Sequence, residues 1–247
     1  CHQPTTTMEN AVSSQNVIGI TGMAAAWPRN VIDDAGRWTM TSTATDLVDR
    51  IPDSRFGKDF AATVPDAIQG ACFGATLCSA ELFDHRAFRL IIAEAAIMDP
   101  QQRLLLEHAQ LAMHARQHGE RTGVFVGLWA SEFAEVVRGS PMAGSAYSAN
   151  AVACSSAANR LSFTFGLQGP SMSFDTACSS ALVASHTGMR ELQQGECEAC
   201  VVAGVNMIFN LHISVKSAQM GVLSRQGRSR VFDASADGYS RCEACSV

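Results

Sequence analysis

The chain has 247 residues, of which 47% are hydrophobic and 17% charged, and its formal net charge at pH 7 is −5. This composition predicts a soluble globular chain with enough apolar residues for one large core or two small ones. The mild acidity gives no reason to expect nucleic acid or an anionic membrane as a partner. No apolar stretch is long enough to predict a membrane-spanning helix.

The cysteines argue against a small secreted protein that is stabilised by disulfides. Their number is odd, the chain is long, and their spacing shows no compact framework. We therefore expect reduced thiols and an intracellular, by default cytoplasmic, location, with organelle targeting left open. Because the first residue is not Met, we expect a fragment or a processed chain. The nine cysteines are at positions 1, 72, 78, 154, 178, 197, 200, 242 and 245.

The first third of the chain carries few patterns. Residues 1–15 are polar and rich in Thr, Ser and Gln, which predicts a disordered lead-in. Residues 16–23 form an apolar run with glycines, which predicts a buried strand followed by a turn. For residues 29–80 we expect mostly loops, with a short helix near residues 45–49.

A helix is predicted from Asp99 onward, because aspartate caps a helix N-terminus and Pro100 suits the first turn. Three histidines follow along it, and two of them are four residues apart, which is metal-ligand spacing. No carboxylate stands at the offset that a helical zinc site needs, so we predict an exposed polar face and no metal site. The predicted apolar face consists of Leu104, Leu105, Leu111 and Met113, and the histidines are His108, His114 and His118.

The middle of the chain predicts alternating strands and helices. Residues 121–127 are a continuous apolar run bounded by glycines, which is typical of a central strand. Residues 147–163 predict a helix of small residues. Residues 195–206 predict a turn followed by another buried strand.

The strongest chemical signal lies in residues 166–186. Residues 171–174 alternate small polar and apolar side chains, as a short strand between two layers does. An Asp-Thr pair then supplies a helix start, and residues 178–185 are small and apolar enough to predict a buried helix. Cys178 would lie at the positive end of that helix, where unpaired N–H groups favour the nucleophilic thiolate. From the local pattern alone, a buried structural cysteine is an equally open interpretation.

Three other residues near Cys178 are of types that take part in acyl-transfer chemistry. A hydrolase elbow places glycine two residues on either side of its serine, and neither Ser179 nor Ser180 has such glycines. Asp175 is better interpreted as a cap of the helix than as an acid partner of the cysteine.

Residues 169–182, G-P-S-M-S-F-D-T-A-C-S-S-A-L, resemble the active-site segment of the β-ketoacyl synthases, the condensing domains of modular polyketide and fatty acid synthases. Three further segments resemble the same family in the same order. They are D-P-Q-Q-R-L-L-L-E at 99–107, G-V-F-V-G at 123–127 and G-V-N at 204–206. The resemblance implies a thiolase-like, layered α/β fold. It further implies that residues 16–247 are the N-terminal half of a ketosynthase domain, truncated in a strand, with the C-terminal half missing.

The resemblance also implies a function. Cys178 would be the acyl-thioester nucleophile, and its backbone N–H would belong to the oxyanion hole. The implied reaction is acyl transfer to Cys178 followed by decarboxylative Claisen condensation with a malonyl-type extender, in polyketide or fatty acid biosynthesis. The implied partners are an acyl carrier protein, whose phosphopantetheine carries the substrates, and a second copy of the chain in a homodimer. No cofactor or metal bound by the domain is expected.

Two family features are missing or altered. The family's H-G-T-G-T and N-x-G-H motifs do not occur here, so we predict that this chain alone is acylated but does not condense. The family's Arg-Gly-Glu-Gly is replaced by residues 241–244, Arg-Cys-Glu-Ala, and a third glycine by Ser246. Glycine there would permit positive φ or close backbone approach, which a Cβ obstructs. A non-catalytic partner that resembles a chain-length factor therefore stays open as the alternative.

The tetrapeptide Cys-Glu-Ala-Cys occurs at residues 197–200 and again at 242–245. Such a pair suggests zinc or thioredoxin-like redox chemistry. However, the gap between the copies is longer than in compact zinc ribbons, and no helix start follows either copy. Both copies also fall at the start of predicted strands, where residues three apart point to opposite faces. We therefore predict neither metal nor redox function.

Overall fold

The computed structural model describes residues 17–247 apart from 32, 58–63, 115–118, 120 and 130, so the predicted lead-in at 1–15 lies outside the described residues. The described strands form one sheet in the order β1-β8-β6-β4-β5 and a second sheet in the order β2-β3-β7. Strand β4 pairs in parallel with β5 and β6, whereas β8 is antiparallel to β6 and to β1. The strands are β1 Ala25–Ala26, β2 Asp49–Arg50, β3 Phe73–Ala75, β4 Thr122–Leu128, β5 Ser171–Phe174, β6 Ala199–Asn206, β7 Arg241–Cys242 and β8 Ala244–Ser246.

Helices and short 3-10 turns connect these strands. The helices of the described residues are α1 Asp34–Ser42, α2 Asp53–Phe56, α3 Ile92–Ile97, α4 Pro100–Met113, α5 Phe133–Arg138, α6 Ser148–Val152, α7 Cys154–Phe165, α8 Ser180–Gln194 and α9 Leu211–Gln219. A 3-10 turn at Ala177–Ser179 leads directly into α8. None of the helices in the described part of the chain combines the length and the hydropathy that crossing a membrane would require.

Strand β4 is the centre of the core, and all of its residues are buried. Val124 and Val126 point to one face, where they join a cluster that includes Leu105 of α4 and Leu161 of α7. Phe125 points to the opposite face and packs against α8. Side chains alternate along a strand, so β4 lies between two helical layers. The central strand and the layered α/β architecture are thus confirmed.

Helix α4 begins as predicted, with the Asp99 carboxylate accepting a hydrogen bond from the Gln101 N–H at 2.8 Å. Two details of its faces differ from the prediction. Leu111 is 65% exposed, whereas Leu106 is fully buried and completes the apolar face. His108 is buried, and its Nδ1 lies 2.8 Å from the Leu104 carbonyl oxygen. The prediction of an exposed His108 is therefore wrong; burial lowers the pKa of its imidazole.

The N-terminal region departs most from the sequence analysis. Residues 17–24 form no strand, and Val17 is 97% exposed, so the predicted buried strand is wrong. Pairing begins only at Ala24, which exchanges two backbone hydrogen bonds with Val247. The predicted helix near residues 45–49 is also absent; helix α1 lies before it and is capped by Asp33, which accepts from the Gly36 N–H at 2.7 Å.

Two predicted helices take a different form. The helix predicted at 147–163 is divided at Ala153 into α6 and α7. Helix α8 buries only a narrow stripe, Ser180, Ala184 and Gly188, whereas Leu182 is 72% exposed. The prediction of a buried helix is therefore wrong for most of this segment.

Candidate active site

Cys178 lies in the 3-10 turn between β5 and α8, with its side chain exposed. The preceding residue, Ala177, has φ of 56°, a left-handed conformation that residues with a Cβ rarely adopt. The Asp175 carboxylate holds this turn by accepting from the Ala177 N–H at 3.1 Å. The N-cap residue of the turn is Thr176 and that of α8 is Ser179, so Asp175 stabilises the turn without capping the helix, and the predicted cap is wrong. Backbone strain of this kind concentrates at functional sites, where the surroundings must enforce it.

The two serines beside Cys178 stabilise the turn through side-chain hydrogen bonds. Ser180 Oγ accepts from the Thr176 N–H at 2.8 Å and donates to the Ala177 carbonyl at 2.7 Å. Ser179 Oγ donates to the Thr176 carbonyl at 2.9 Å. In contrast, none of the hydrogen bonds among the described residues is donated by the Cys178 backbone N–H. That amide is therefore open to an acceptor from outside this network, as an oxyanion site requires.

Two glycines bring the start of α8 against the sheet. A Cβ at Gly127 on β4 would lie 2.3 Å from the Ala181 nitrogen, and a Cβ at Gly204 on β6 would lie 2.7 Å from the Ala181 Cβ. Any side chain there would push the first turn of α8, and Cys178 with it, away from the strands. Because the two strands are parallel, this contact places Cys178 at their carboxyl ends, where ligands bind in open α/β sheets.

A cavity of about 520 Å³ opens beside Cys178. The ends of β4 and β6 form its floor, and Trp129 and Tyr239 contribute aromatic walls. Neither residue was predicted from the sequence to belong to the site, because neither lies beside the nucleophile in the sequence or in a catalytic motif. Cys242, Ala244 and Ser246, at positions where the sequence motif of the family predicts glycine, also line this cavity.

The altered 241–246 segment adopts ordinary strands, and none of its residues has positive φ. Cys242 and its neighbours are therefore accommodated without the backbone that only glycine permits.

The charged residues of the segment are buried. Arg241 pairs with Glu132 and donates to Ser214 Oγ at 2.8 Å, and Glu243 accepts from Arg55 at 3.1 Å. These ion pairs hold in place the segment of β7 and β8 that forms one wall of the cavity.

The two Cys-Glu-Ala-Cys copies differ in structure. Cys242 is exposed and Cys245 is fully buried, so the second copy separates its thiols across the strands as predicted. In the first copy, β6 begins only at Ala199, and Cys197 lies in the preceding turn. The Cys197 and Cys200 sulfurs are consequently 3.1 Å apart, and the prediction of opposite faces is wrong for this copy.

Other candidate residues do not converge on the cavity. His186 is exposed on α8, two turns beyond Cys178, and His114 is exposed at the end of α4. His118 lies outside the described residues. Within the described part of the chain, no group of three or more His, Cys, Asp or Glu side chains is arranged to hold a metal ion.

Comparison with known proteins identifies the family. Residues 15–247 match the family model of the β-ketoacyl synthase N-terminal domain. A lovastatin nonaketide synthase of Monascus pilosus is 35% identical over 98% of this chain and 8% of the synthase. A compactin nonaketide synthase component of Penicillium citrinum is 36% identical over 97% of this chain and 8% of its own length. The chain thus spans less than a tenth of the length of these curated relatives.

Solved structures agree with this match. An oxazolomycin ketosynthase domain of Streptomyces albus superimposes with a TM-score of 0.80 at 31% identity, over 92% of this chain and 41% of that one. A ketosynthase from module 6 of the bacillaene synthase of Bacillus subtilis gives 0.77 at 25% identity, over 92% and 38%. The chain therefore belongs to the β-ketoacyl synthase family, with the thiolase-like fold of polyketide synthase ketosynthase domains.

Proposed function

We propose that this chain supplies the cysteine nucleophile of a β-ketoacyl-[acyl-carrier-protein] synthase that acts in polyketide or fatty acid biosynthesis. The observation that carries the proposal is the turn at Cys178. A strained Ala177 presents the thiol beside a cavity at the start of α8, next to a backbone N–H without a described partner. These are the parts that acyl transfer needs.

The proposed reaction begins with attack of the Cys178 thiolate on the carbonyl carbon of an acyl thioester. The thioester is carried on the phosphopantetheine of an acyl carrier protein, the proposed partner. The carbonyl oxygen becomes an oxyanion and accepts a hydrogen bond from the Cys178 N–H. Collapse of the intermediate expels the phosphopantetheine thiolate and leaves the acyl group on Cys178. No cofactor is needed for these steps.

Condensation requires groups that these residues do not supply. In the family, histidines promote loss of carbon dioxide from a malonyl-type extender, and none of the seven histidines here stands in either family motif. His186 is on α8, the helix that follows the Cys178 turn, but it is exposed. We therefore propose that the 247-residue chain is acylated without condensing, and that condensation belongs to a complete, homodimeric ketosynthase domain.

The alternative is a non-catalytic partner that resembles a chain-length factor. One observation favours it: Cys242, Ala244 and Ser246 add side chains to the cavity wall where the family has glycines. The retained Cys178 favours the enzyme, because such partners commonly replace that cysteine.

The test is acyl labelling of the chain with a short acyl thioester, followed by intact-mass measurement. We expect one adduct on the wild-type chain and none on Cys178→Ala. The matched control is Cys78→Ala, which removes another exposed thiol and should label like the wild type. Unchanged labelling of Cys178→Ala would overturn the assignment, and absent labelling of the wild type would support the non-catalytic alternative.

A further inference from the structure

A second pair of reactive groups lies away from Cys178, at the start of β6. The Cys197 and Cys200 sulfurs are 3.1 Å apart, and both are free thiols. We propose that Cys197 and Cys200 form a redox-active thiol pair that closes to an intramolecular disulfide on exchange with a small disulfide oxidant such as glutathione disulfide. This site is separate from the proposed acylation and does not depend on it.

The packing of the pair explains why the sulfurs meet. Cys197 is 3% exposed and lies over Gly123 of β4, where a Cβ would be 3.4 Å from its sulfur. Cys200 is half-buried, and its thiol donates to the Gly188 carbonyl of α8 at 3.4 Å. A disulfide bond is about 2.0 Å long, so the sulfurs must approach by only about 1 Å. Rotation about the side-chain torsions supplies a displacement of this size.

An oxidant can reach the pair through a cavity of about 850 Å³ that both cysteines line. The cavity lies between residues 17–22 and the side of α8 that carries Gly188 and Leu192. A metal ion would need further ligands, and the described residues place no third His, Cys, Asp or Glu with the pair. Two close thiols without a third ligand favour disulfide formation over metal binding.

The exchange proceeds in two balanced steps. The Cys200 thiolate, the more exposed of the two, attacks one sulfur of glutathione disulfide and expels a glutathione thiolate, which leaves a mixed disulfide at Cys200. The Cys197 thiolate then attacks the Cys200 sulfur and expels the second glutathione. The protein loses two electrons and two protons, and one glutathione disulfide becomes two glutathione thiols.

Burial, together with the neighbouring Cys197 and the Glu191 carboxylate, raises the pKa of the Cys200 thiol. Because the thiolate is the attacking species, the exchange is expected to be slow. The experiment must therefore be run to equilibrium in glutathione buffers of fixed ratio rather than judged from an initial rate.

The two tetrapeptides allow the proposal to be tested within one wild-type sample. Trypsin releases residues 191–216, which contain Cys197 and Cys200 alone, and residues 242–247, which contain Cys242 and Cys245 alone. After equilibration, acid quench and alkylation of the denatured chain, we expect peptide 191–216 to lack two hydrogens and to carry no alkyl groups. Peptide 242–247 should carry two alkyl groups.

Two results would overturn the proposal: peptide 191–216 keeping both thiols at every glutathione ratio, or peptide 242–247 closing to the same extent. The variant Cys197→Ser adds a second test, because the remaining Cys200 should then stop at the glutathione mixed disulfide. The within-sample comparison of the two peptides needs no variant, so it stands even if Cys197→Ser fails to fold.

Discussion

The two Cys-Glu-Ala-Cys tetrapeptides place the same four residues in opposite surroundings. In the copy at 197–200, the thiols share one side of the chain and Glu198 is on the surface, with its side chain 66% exposed. In the copy at 242–245, the glutamate is fully buried, one thiol lines the cavity of Cys178 and the other is in the core. The difference arises from where the strand begins: β6 starts two residues after Cys197, whereas β7 already includes Cys242.

The comparison shows that the reactivity of a short motif depends on where its residues lie relative to the start of a strand. A turn before a strand lets residues three apart meet, while a continuous extended segment separates them. Each pair of equivalent residues therefore gives a matched experiment on the same side chain in two environments.

The largest expected difference is in stability, and it concerns the two glutamates. Glu243 accepts from Arg55 at 3.1 Å and from the backbone N–H groups of Leu77 at 2.7 Å and Ile208 at 2.9 Å. Glu243→Ala leaves these donors unpaired in the interior, so we expect the free energy of unfolding to fall by about 3–5 kcal/mol. Among the described residues, the Glu198 side chain forms an exposed ion pair with Arg121 at 3.8 Å, so Glu198→Ala should change the free energy of unfolding by less than about 1 kcal/mol. Urea unfolding of both variants measures this, and equal losses would contradict the comparison.

The next difference concerns the reactivity of Cys242. Although Cys242 is exposed at the cavity wall, its thiol is partly desolvated there, and this desolvation together with the neighbouring Glu243 carboxylate raises the pKa of the thiol to about 11. The thiolate fraction at neutral pH is then roughly a hundredfold lower than in the unfolded chain, and it increases as pH rises toward 11. We expect iodoacetamide to alkylate Cys242 correspondingly slowly near pH 7 and faster at each higher pH. Native alkylation at the rate of the urea-unfolded chain would refute this account.

The smallest expected difference is again in stability, and it concerns the last cysteine of each copy. Cys245 is fully buried in the main apolar cluster, so Cys245→Ser buries an unpaired hydroxyl and should destabilise the fold by about 1–3 kcal/mol. In Cys200→Ser, the hydroxyl can still donate to the Gly188 carbonyl, so a smaller loss is expected. Thermal unfolding of the two variants gives the ranking, and a larger loss for Cys200→Ser would contradict it.

Much of the fold could be predicted from the sequence, because several signals are local. Asp99-Pro100 marks the start of α4, and the apolar run of β4 marks a strand buried on both faces. The Asp33 cap of α1 is also present in the sequence, but it lies in the 29–80 stretch for which mostly loops were expected. Helix α1 buries little, and Trp38 is 68% exposed, so no apolar periodicity supported the cap.

The errors arise where partners distant in the sequence decide the outcome. Residues 17–24 have the composition of a buried strand, yet Val17 and Ile20 are exposed and pairing begins only where Val247 is available. His108 is buried on α4, which packs against α7, β6 and β8 from later in the chain, so the spacing of the histidines alone does not reveal its burial. For Cys178, the motif indicated the residue, whereas the contribution of Gly127 and Gly204 to its position required the packed sheet.

The most direct test of the account compares Cys178 with Cys242, because both thiols line the same cavity. After incubation with an acyl thioester, peptide mapping gives the acyl occupancy of residues 161–190, which contain Cys178, and of residues 242–247. We expect acylation at Cys178 and none at Cys242, because Cys178 lies at the start of a helix with its backbone N–H open, whereas Cys242 lies in a strand. Equal or greater acylation in peptide 242–247 would show that proximity to the cavity is sufficient and would contradict the proposed nucleophile.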